Sequence, residues 1–300
     1  MAASPWVLRS LLFVPGSRSA MIAKARGLPA DALILDLEDG VGPEEKDRAR
    51  RTVADALAEG FPARLVVFVR VNALESGLLD ADLREVVRPG VHGVCLPKCA
   101  APATALAVDA RLRAAEDRAG LPRGHVRLLP MIETARGVVN GAAIAGVSGR
   151  ICAVGFGAED FTADVRMPRT REGTELVWAR SAVSVAAHAA GIDPIDGIFA
   201  DFRDDAGLRA DALEARRLGY AGKMLIHPSQ IAPIHAAFTP TVEEVEHAGR
   251  VVAAFQNARG AGSGIVVVDG AMVDRPVFLR AERVLAASRA ASPPTGSPPL

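Results

Sequence analysis

The sequence has few of the residues that mark nucleic-acid-binding or disulfide-stabilised proteins. Its 300 residues include 3 cysteines and 4% aromatic residues, and 35 lysines and arginines balance 35 aspartates and glutamates. Without a basic field or stacking aromatics, the composition does not favour nucleic acid as a partner. Three cysteines without disulfide or zinc spacing fit a reducing compartment, so we expect a cytoplasmic protein.

Long apolar segments are also missing, although half of the residues are hydrophobic. No uninterrupted apolar run reaches the roughly 18 residues that a membrane-spanning helix requires. The first residues lack the basic segment and apolar stretch of a secretory signal. We therefore expect no membrane association and no secretion, and a small molecule is the favoured partner.

Short apolar segments of strand character alternate with segments of helical periodicity along most of the chain. Such alternation is typical of βαβ units and a parallel sheet. Eight strand segments fit a (β/α)8 TIM barrel better than a doubly wound sheet of about five or six strands. The predicted strands lie at 8–16, 32–39, 64–72, 93–98, 126–133, 150–160, 196–202 and 222–228.

The helical segments divide the chain into a barrel and an extension. Amphipathic outer helices are predicted at 44–60, 104–120 and 174–191. The catalytic barrel is predicted to occupy residues 1–238. A helical extension at 239–288, with helices at 241–260 and 276–288 and a short extended segment at 263–270, is expected to form a lid or a subunit contact. Residues 289–300 are rich in proline and serine and are predicted to be disordered.

Two neighbouring predicted strands, the fifth and the sixth, end on the carboxylates Glu133 and Asp160. The C-terminal ends of barrel strands form the rim that carries the active site. Two acids on one rim are suitable ligands for a hard divalent cation such as Mg²⁺. Further polar residues follow the other strands and make this rim rich in acids: Asp36, Glu38, Asp39, Arg70, Asn72, Lys98, Glu159, Asp201, Arg203 and His227.

Several of these rim residues also have structural interpretations. Asp39 precedes a helix, where a capping role competes with a catalytic one. Asp36 and Glu38 are predicted to support the site by bonding Arg70 or metal-bound water, rather than to ligate the metal. Lys98 suits a Schiff-base nucleophile, but among several carboxylates we favour a protonated ion-pair partner.

The loop at 13–25 follows the first strand with a glycine-containing turn. Its Arg18 and Lys24 suit the phosphate-bearing arm of a cofactor, although such loops are also common on solvated surfaces. A second basic segment follows Asp160, and its role is left open between substrate binding and helix capping. It contains Arg166, Arg169 and Arg171.

Taken together, the motifs resemble those of the HpcH/HpaI aldolase and citrate lyase family. The resemblance is closest to the citrate lyase beta-subunit-like branch, which includes malyl-CoA and citramalyl-CoA lyases, and it covers residues 8 to 287. The motifs are LRSLLFVPGSRSAMIAKA, LILDLEDGV, FVRVN, GVCLPK, PMIET, GFGAEDFTADV, GTELVWARS, ADFRDDAGL and GYAGKMLIHPSQI.

The resemblance implies a metal-dependent TIM barrel that cleaves or forms carbon–carbon bonds in acyl thioesters by (retro-)Claisen chemistry. It implies that Glu133 and Asp160 bind Mg²⁺, with Mn²⁺ as a possible substitute. It also implies that Arg70 holds the carboxylate or keto oxygen of the substrate, with Asp36 and Glu38 as acidic support. The substrates implied are an acyl-CoA and an α-keto acid, joined as a malyl-CoA or citramalyl-CoA type of 3-hydroxyacyl thioester.

Further residues follow from the same resemblance. Asp274, in the segment DGAMVDRPVFLRAERVL, matches an aspartate that reaches the site of a neighbouring subunit, so we expect a homo-oligomer, a trimer or a multiple of three. Arg18 and Lys24 match the region on the CoA side. Pro97 and Lys98 of GVCLPK are predicted to border the substrate.

Other functions remain open at the level of the sequence. The first alternative is the beta subunit of citrate lyase, which acts on a thioester of an acyl carrier protein. The second is a class II pyruvate aldolase that uses free aldehydes, for which the extension and the Arg18 loop are superfluous. The third, of a different class, is a non-catalytic scaffold or ligand-binding barrel.

Overall fold

A computed structural model describes residues 6–291, and its main feature is a closed barrel of eight parallel strands. Each strand pairs with the next along the chain, and the last pairs with the first. This architecture confirms the predicted (β/α)8 TIM barrel. The strands are β1 (Ser10–Pro15), β2 (Ala32–Asp36), β3 (Val66–Arg70), β4 (Gly93–Leu96), β5 (Arg127–Ile132), β6 (Ala153–Phe156), β7 (Asp193–Asp196) and β8 (Gly222–Leu225).

Helices follow every strand of the barrel, and short 3₁₀ turns at 43–45, 74–76, 174–176 and 228–230 precede four of them. None of the helices among residues 6–291 is long and apolar enough to cross a membrane. The helices of the barrel are α1 (Ser19–Ala25), α2 (Lys46–Glu59), α3 (Leu79–Val86), α4 (Pro102–Ala119), α5 (Ala135–Val139), α6 (Gly141–Ala145), α7 (Ala158–Asp164), α8 (Val177–Ala189), α9 (Asp205–Arg217) and α10 (Ile231–Phe238).

The strands are apolar along their length because both of their faces are buried. Every residue of β2 is buried, for example. Side chains of one face fill the barrel interior, among them Ile34, Phe68 and Met131. Side chains of the other face pack under the helices, as expected for a parallel sheet. Because both faces are occupied by packing, chemistry is left to the residues at the ends of the strands.

Seven of the eight predicted strand segments contain the observed strand, and the seventh is misplaced. Strand β7 covers Asp193–Asp196 and ends where the predicted segment at 196–202 begins. Its sequence, DPID, is polar at both ends, so its apolar character is hidden. The chain leaves the sheet at Gly197, where a Cβ would lie 2.8 Å from the carbonyl oxygen of Phe156.

The predicted outer helices are present, with ends set by local sequence. Helix α2 buries an apolar stripe and stops at Gly60, whose φ of 86° suits glycine. Helix α4 begins with Pro102 in its first turn and ends at Gly120, which is also left-handed. Helix α8 is preceded by a 3₁₀ turn within the predicted range of 174–191.

The chain forms two compact units, the first ending at His235 and the second beginning at Ala236. This division falls within α10, just before the boundary predicted at residue 238. The second unit contains α11 (Val242–Gly260), a hairpin of β9 (Val266–Val268) and β10 (Ala271–Val273), and α12 (Arg275–Ala291).

The second unit has its own small core. Phe255 of α11 stacks on Phe278 of α12 with ring centroids 4.8 Å apart. Thr241 and Glu244 form a capping box at the start of α11. Residues 289–291, predicted to be disordered, continue α12, and the rest of the predicted tail lies outside the described residues. That this unit acts as a lid or a subunit contact stays a prediction.

Candidate active site

The C-terminal ends of the barrel strands surround a cavity of about 380 Å³. Apolar side chains from the barrel interior, including Phe13, Met131 and Met224, form its floor. Four predicted site residues line it together, and two more are joined to them by ion pairs. We call these six residues the rim cluster: Asp36, Glu38, Arg70, Lys98, Glu133 and Asp160.

Arg70 and Asp36 are the last residues of neighbouring strands and lie opposite each other in register. The Arg70 Nε and Nη2 atoms each donate to one oxygen of Asp36 over 2.7 Å. The guanidinium lies 4.7 Å from the centroid of the Phe13 ring. Burial opposes the charge of Arg70, but the hydrogen bonds to Asp36 more than compensate and raise its pKa. The cavity therefore contains a guanidinium group that is fixed in place and permanently charged.

Asp36 has no free acceptor position. Besides the two bonds from Arg70, it accepts the backbone N–H of Glu38 over 2.9 Å and that of Gly40 over 2.8 Å. An ionised carboxylate has about four acceptor positions, and here all four are used. Asp36 therefore orients Arg70 and is not available to a ligand.

Glu133 directly follows β5 and is almost completely buried, with 2% of its surface exposed. Its Oε1 accepts the backbone N–H of Lys98 over 2.5 Å. Burial raises the pKa of Glu133 to about 7, and the nearby charge of Asp160 acts in the same direction, although the N–H of Lys98 opposes it. Gly157 lies against this carboxylate, and a Cβ at that position would collide with it. The site thus holds a buried acid that forms no ion pair with a base among residues 6–291.

Asp160 lies in the first turn of α7, half-buried and facing the cavity. Its side chain has no hydrogen-bond partner among residues 6–291. Acids are favoured in the first turn of a helix, which explains the position but not the open carboxylate. Asp160 and Glu133 together present unsatisfied oxygens to one cavity.

These oxygens fit a divalent cation. The part of the chain that the structure describes contains no group of three or more His, Cys, Asp or Glu side chains placed to hold a metal. A site with two carboxylates suits Mg²⁺, which commonly keeps several waters and completes its coordination with substrate oxygens. Burial and the charge of Asp160 both disfavour the ionised form of Glu133, and a bound cation would favour it.

Lys98 and Glu38 form an ion pair on the other side of the rim cluster. The Lys98 Nζ lies 2.6 Å from Glu38 Oε1, and Arg70 Nη1 lies 3.2 Å from Glu38 Oε2. Burial lowers the pKa of Lys98, but the bond to Glu38 outweighs it and the pKa is raised. A lysine held in its protonated form is not a nucleophile, so the geometry favours the ion-pair interpretation over the Schiff base.

Three other predicted residues of the first unit do not line the cavity. Arg18 and Lys24 are exposed on α1 and its N-terminal turn, and neither lines the cavity. Pro97 is buried in the turn after β4, also away from the lining. Asp274 belongs to the second unit, where its Oδ1 accepts the N–H of Val277 over 3.2 Å at the start of α12.

The basic segment after α7 is largely engaged in surface ion pairs. Arg169 bonds Glu159 over 3.1 Å and also contacts Glu175, and Arg171 bonds Asp204 over 2.7 Å. Arg166 is exposed and adopts a φ of 57°. These contacts fit the capping and solvation alternative for Arg169 and Arg171.

Sequence reasoning missed two contributors to the site. Phe13, under the Arg70 guanidinium, was indistinguishable from a core residue of an apolar strand. Lys46 of α2 donates from Nζ to the carbonyl oxygens of Leu37 over 2.7 Å and Glu38 over 2.8 Å, and burial lowers its pKa. It is hidden among the alternating charges of an amphipathic helix.

Comparison with known proteins places this chain in a family. Residues 9–228 match the family model described as HpcH/HpaI aldolase/citrate lyase. The chain is 42% identical to the citrate lyase subunit beta of Escherichia coli K12 over 277 residues, covering 92% of each chain. It is 34% identical to the L-malyl-CoA/beta-methylmalyl-CoA lyase of Rhodobacter capsulatus, covering 92% of this chain and 93% of the relative.

The fold agrees with a solved structure of a related protein. The crystal structure of CitE from Mycobacterium tuberculosis, in complex with magnesium, acetoacetate and coenzyme A, superimposes with a TM-score of 0.77 at 31% identity. The match covers 96% of this chain and 98% of that one. This chain is therefore a member of the HpcH/HpaI aldolase/citrate lyase family and a carbon–carbon lyase, as its motifs predict.

Proposed function

We propose that the protein is a Mg²⁺-dependent lyase or synthase of 3-hydroxyacyl-CoA thioesters. It would cleave a substrate such as malyl-CoA or citramalyl-CoA to acetyl-CoA or propionyl-CoA and an α-keto acid, or catalyse the reverse condensation. The observation that carries this proposal is the cavity in which open carboxylates of Glu133 and Asp160 lie beside the fixed charge of Arg70.

Glu133 and Asp160 would hold the Mg²⁺ ion, and Mn²⁺ could replace it. When bound, the ion supplies a Lewis acid that polarises the carbonyl of the α-keto acid. The related CitE structure, which contains magnesium, acetoacetate and coenzyme A, supports this combination of ligands.

Arg70 would bind the carboxylate or keto oxygen of the substrate. Asp36 and the Phe13 ring hold its guanidinium in place before substrate arrives. Negative charge grows on oxygen in both directions of the reaction, and a donor fixed in advance stabilises that charge without a cost of reorganisation. Glu38 would keep the guanidinium aligned through its contact with Nη1.

The thioester side of the reaction depends on residues outside the rim cluster. We expect Arg18 and Lys24 to contact the phosphates of CoA, and Pro97 and Lys98 to border the substrate. Asp274 would transfer the proton to or from the methyl carbon of the acetyl group, within the site of a neighbouring copy. This assignment requires a homo-oligomer, for which we expect a trimer or a multiple of three.

A second candidate is the beta subunit of a citrate lyase, which would act on a citryl thioester of an acyl carrier protein and release oxaloacetate. The 42% identity to the E. coli citrate lyase subunit beta, over almost the whole of both chains, favours it. The rim cluster would suit either substrate, because the same type of carbon–carbon bond is cleaved in both. CoA and the acyl carrier protein differ only at a distance from that bond.

The test is to incubate the purified protein and Mg²⁺ with malyl-CoA, citramalyl-CoA or a citryl-loaded acyl carrier protein, and to measure the keto acid released. We also expect deuterium exchange into the methyl group of acetyl-CoA. Activity on the CoA thioesters alone supports the lead proposal, and activity that requires the carrier protein supports the subunit. No turnover of any of these thioesters, with no Mg²⁺ binding by calorimetry, would instead favour a non-catalytic barrel.

A further inference from the structure

We infer that Lys98 is a positioning residue whose left-handed backbone sets the position of the proposed metal ligand Glu133. This inference rests on the proposed function, because it assigns a second role within the same site. One residue contacts acids on both sides of the rim cluster: its backbone N–H donates to Glu133, and its ammonium donates to Glu38.

The backbone of Lys98 has an unusual conformation. Its φ is 53°, and Pro97 precedes it, which is the pattern of a type II turn with proline and then a residue of positive φ. Glycine normally occupies the second position, because a side chain there is strained. A lysine in this conformation is uncommon, and such strain persists where the surrounding structure requires it.

The turn is held by the strand that carries Glu133. The N–H of Lys98 donates to Glu133 Oε1 over 2.5 Å, and the next N–H, of Cys99, donates to the carbonyl of Met131 over 3.1 Å. The φ and ψ of Lys98 together set the angle between these two successive N–H groups. A change in that angle would break one bond or the other, so the left-handed turn determines where the Glu133 carboxylate is held.

The side chain of Lys98 is linked to the rest of the rim cluster through Glu38. Nζ lies 2.6 Å from Glu38 Oε1, and the other oxygen of Glu38 contacts Arg70. Lys98 is therefore connected to the buried acid through its backbone and to the substrate-binding guanidinium through its ammonium. Of the three non-glycine residues with positive φ among residues 6–291, it is the one that belongs to the rim cluster.

The backbone role is tested by a series at residue 98: Lys98→Gly, Lys98→Ala and Lys98→Val. The measurement is the affinity for Mn²⁺ and Mg²⁺ without substrate, by calorimetry and by the electron spin resonance of free Mn²⁺. Glycine keeps the N–H and accepts the positive φ, whereas alanine and especially β-branched valine resist it. We expect the affinity to fall in the order Gly, Ala, Val, with the valine variant at least about tenfold weaker than the glycine variant, as for other groups that orient metal ligands.

Two controls separate the backbone from the charge. Lys98→Met removes the ammonium, but residue 98 must still adopt a positive φ. Because the Lys98 side chain is 40% exposed, we expect the metal affinity to change by less than about fivefold. The same Gly, Ala and Val series at Asp269, which has a φ of 49° in the second unit, should leave metal affinity unchanged. Circular dichroism verifies that each variant folds. If the valine variant does not fold, the comparison of metal affinity between the alanine and glycine variants tests the inference.

The outcomes distinguish this inference from the proposed function. A wild-type protein that binds neither ion overturns the metal site, and the role of Lys98 with it. A wild-type protein that binds metal, together with equal affinities in the glycine, alanine and valine variants, overturns only the positioning role. A glycine variant as weak as the valine variant would overturn it as well, because the effect would then come from the lost side chain.

Discussion

Two of the clusters of charged side chains in the barrel use similar residues in opposite ways. The rim cluster faces the cavity with four acids and two bases. The second, which we call the outer cluster, lies between β7 and β8 and the helices α8 and α9. It consists of Arg180, Asp196, Asp211 and Lys223, with two acids and two bases.

Every charge of the outer cluster has a close partner. Asp196 accepts two bonds from Arg180, of 3.1 and 2.7 Å, and one of 2.5 Å from Lys223. Asp211 bridges the same two bases, over 3.0 Å to Arg180 and 2.5 Å to Lys223. Burial raises the pKa of Asp211, but the charge of Lys223 more than offsets it and the pKa is lowered.

The pKa of the buried acid shifts in opposite directions in the two clusters. That of Glu133 is raised to about 7, because burial outweighs the backbone N–H of Lys98 and the charge of Arg70. Burial disfavours the charged form of both carboxylates, and the direction of each shift depends on the partners that oppose it. A balanced cluster stabilises the fold, whereas an unbalanced one is typical of a site that binds a cation or a substrate.

The largest expected effect on stability is in the outer cluster. Asp196→Asn removes the charge that both Arg180 and Lys223 face, and leaves two buried cations without that partner. We expect the free energy of unfolding to fall by about 3–5 kcal/mol, the usual result of breaking a buried ion pair by removing one partner. Urea denaturation measures it. A loss below about 1 kcal/mol would contradict the structural role of this cluster.

Replacing an acid by its amide in the rim cluster should reduce activity rather than stability. Glu133→Gln keeps the shape of the side chain but removes a proposed metal ligand, so we expect kcat to fall at least about 100-fold. The free energy of unfolding should stay unchanged or rise, because an uncompensated buried charge is removed. Steady-state kinetics and urea denaturation of one preparation give both values. If Glu133→Gln destabilises the protein as much as Asp196→Asn does, the contrast between the clusters is wrong.

Replacing arginine with lysine should also distinguish the two clusters, with smaller effects on activity and stability than the acid-to-amide changes. Arg70→Lys retains the charge but cannot reproduce two parallel bonds to Asp36 or the contact with Phe13. We expect kcat/KM to fall about 30-fold or more, which is less than the roughly 100- to 1,000-fold cost of losing a fixed donor outright, because lysine retains the charge. Arg180→Lys should lower the midpoint of thermal unfolding and leave kcat/KM unchanged. An equal loss of kcat/KM in both variants would argue against a substrate-binding role for Arg70.

The smallest effect concerns the dependence of stability on pH. The pKa of Asp211 in the folded protein lies below its ordinary value of 3.8, so its contribution is present above that value and is lost as the pH falls through the folded pKa. We expect Asp211→Asn to cost about 2 kcal/mol in the free energy of unfolding at pH 7 and clearly less at pH 3. Urea denaturation at both values measures the difference, and an equal cost at pH 7 and pH 3 would show that the charge of Asp211 does not stabilise the fold.

The alternation of apolar and amphipathic segments in the sequence was enough to predict the barrel. Strands buried on both faces appear as apolar runs, so seven of the eight could be located from their residues alone. The seventh strand was misplaced because the two apolar residues of its sequence, DPID, lie between two acids. The motifs identified the family, and the ends of the strands identified the acids and bases of the rim, because a parallel barrel brings those ends to one side.

What each rim residue contacts was decided only by the tertiary structure. Residues far apart in sequence meet there, and spacing carries no information about such contacts. The structure showed that Asp36 is saturated while Asp160 is open, that Phe13 supports Arg70, and that Lys98 reaches Glu133 through its backbone rather than its side chain. It also showed that the acids of the outer cluster are paired with neighbouring bases, whereas Glu133 and Asp160 of the cavity are not paired with any base of the described residues, because charge balance is a property of the folded arrangement and not of the order of residues.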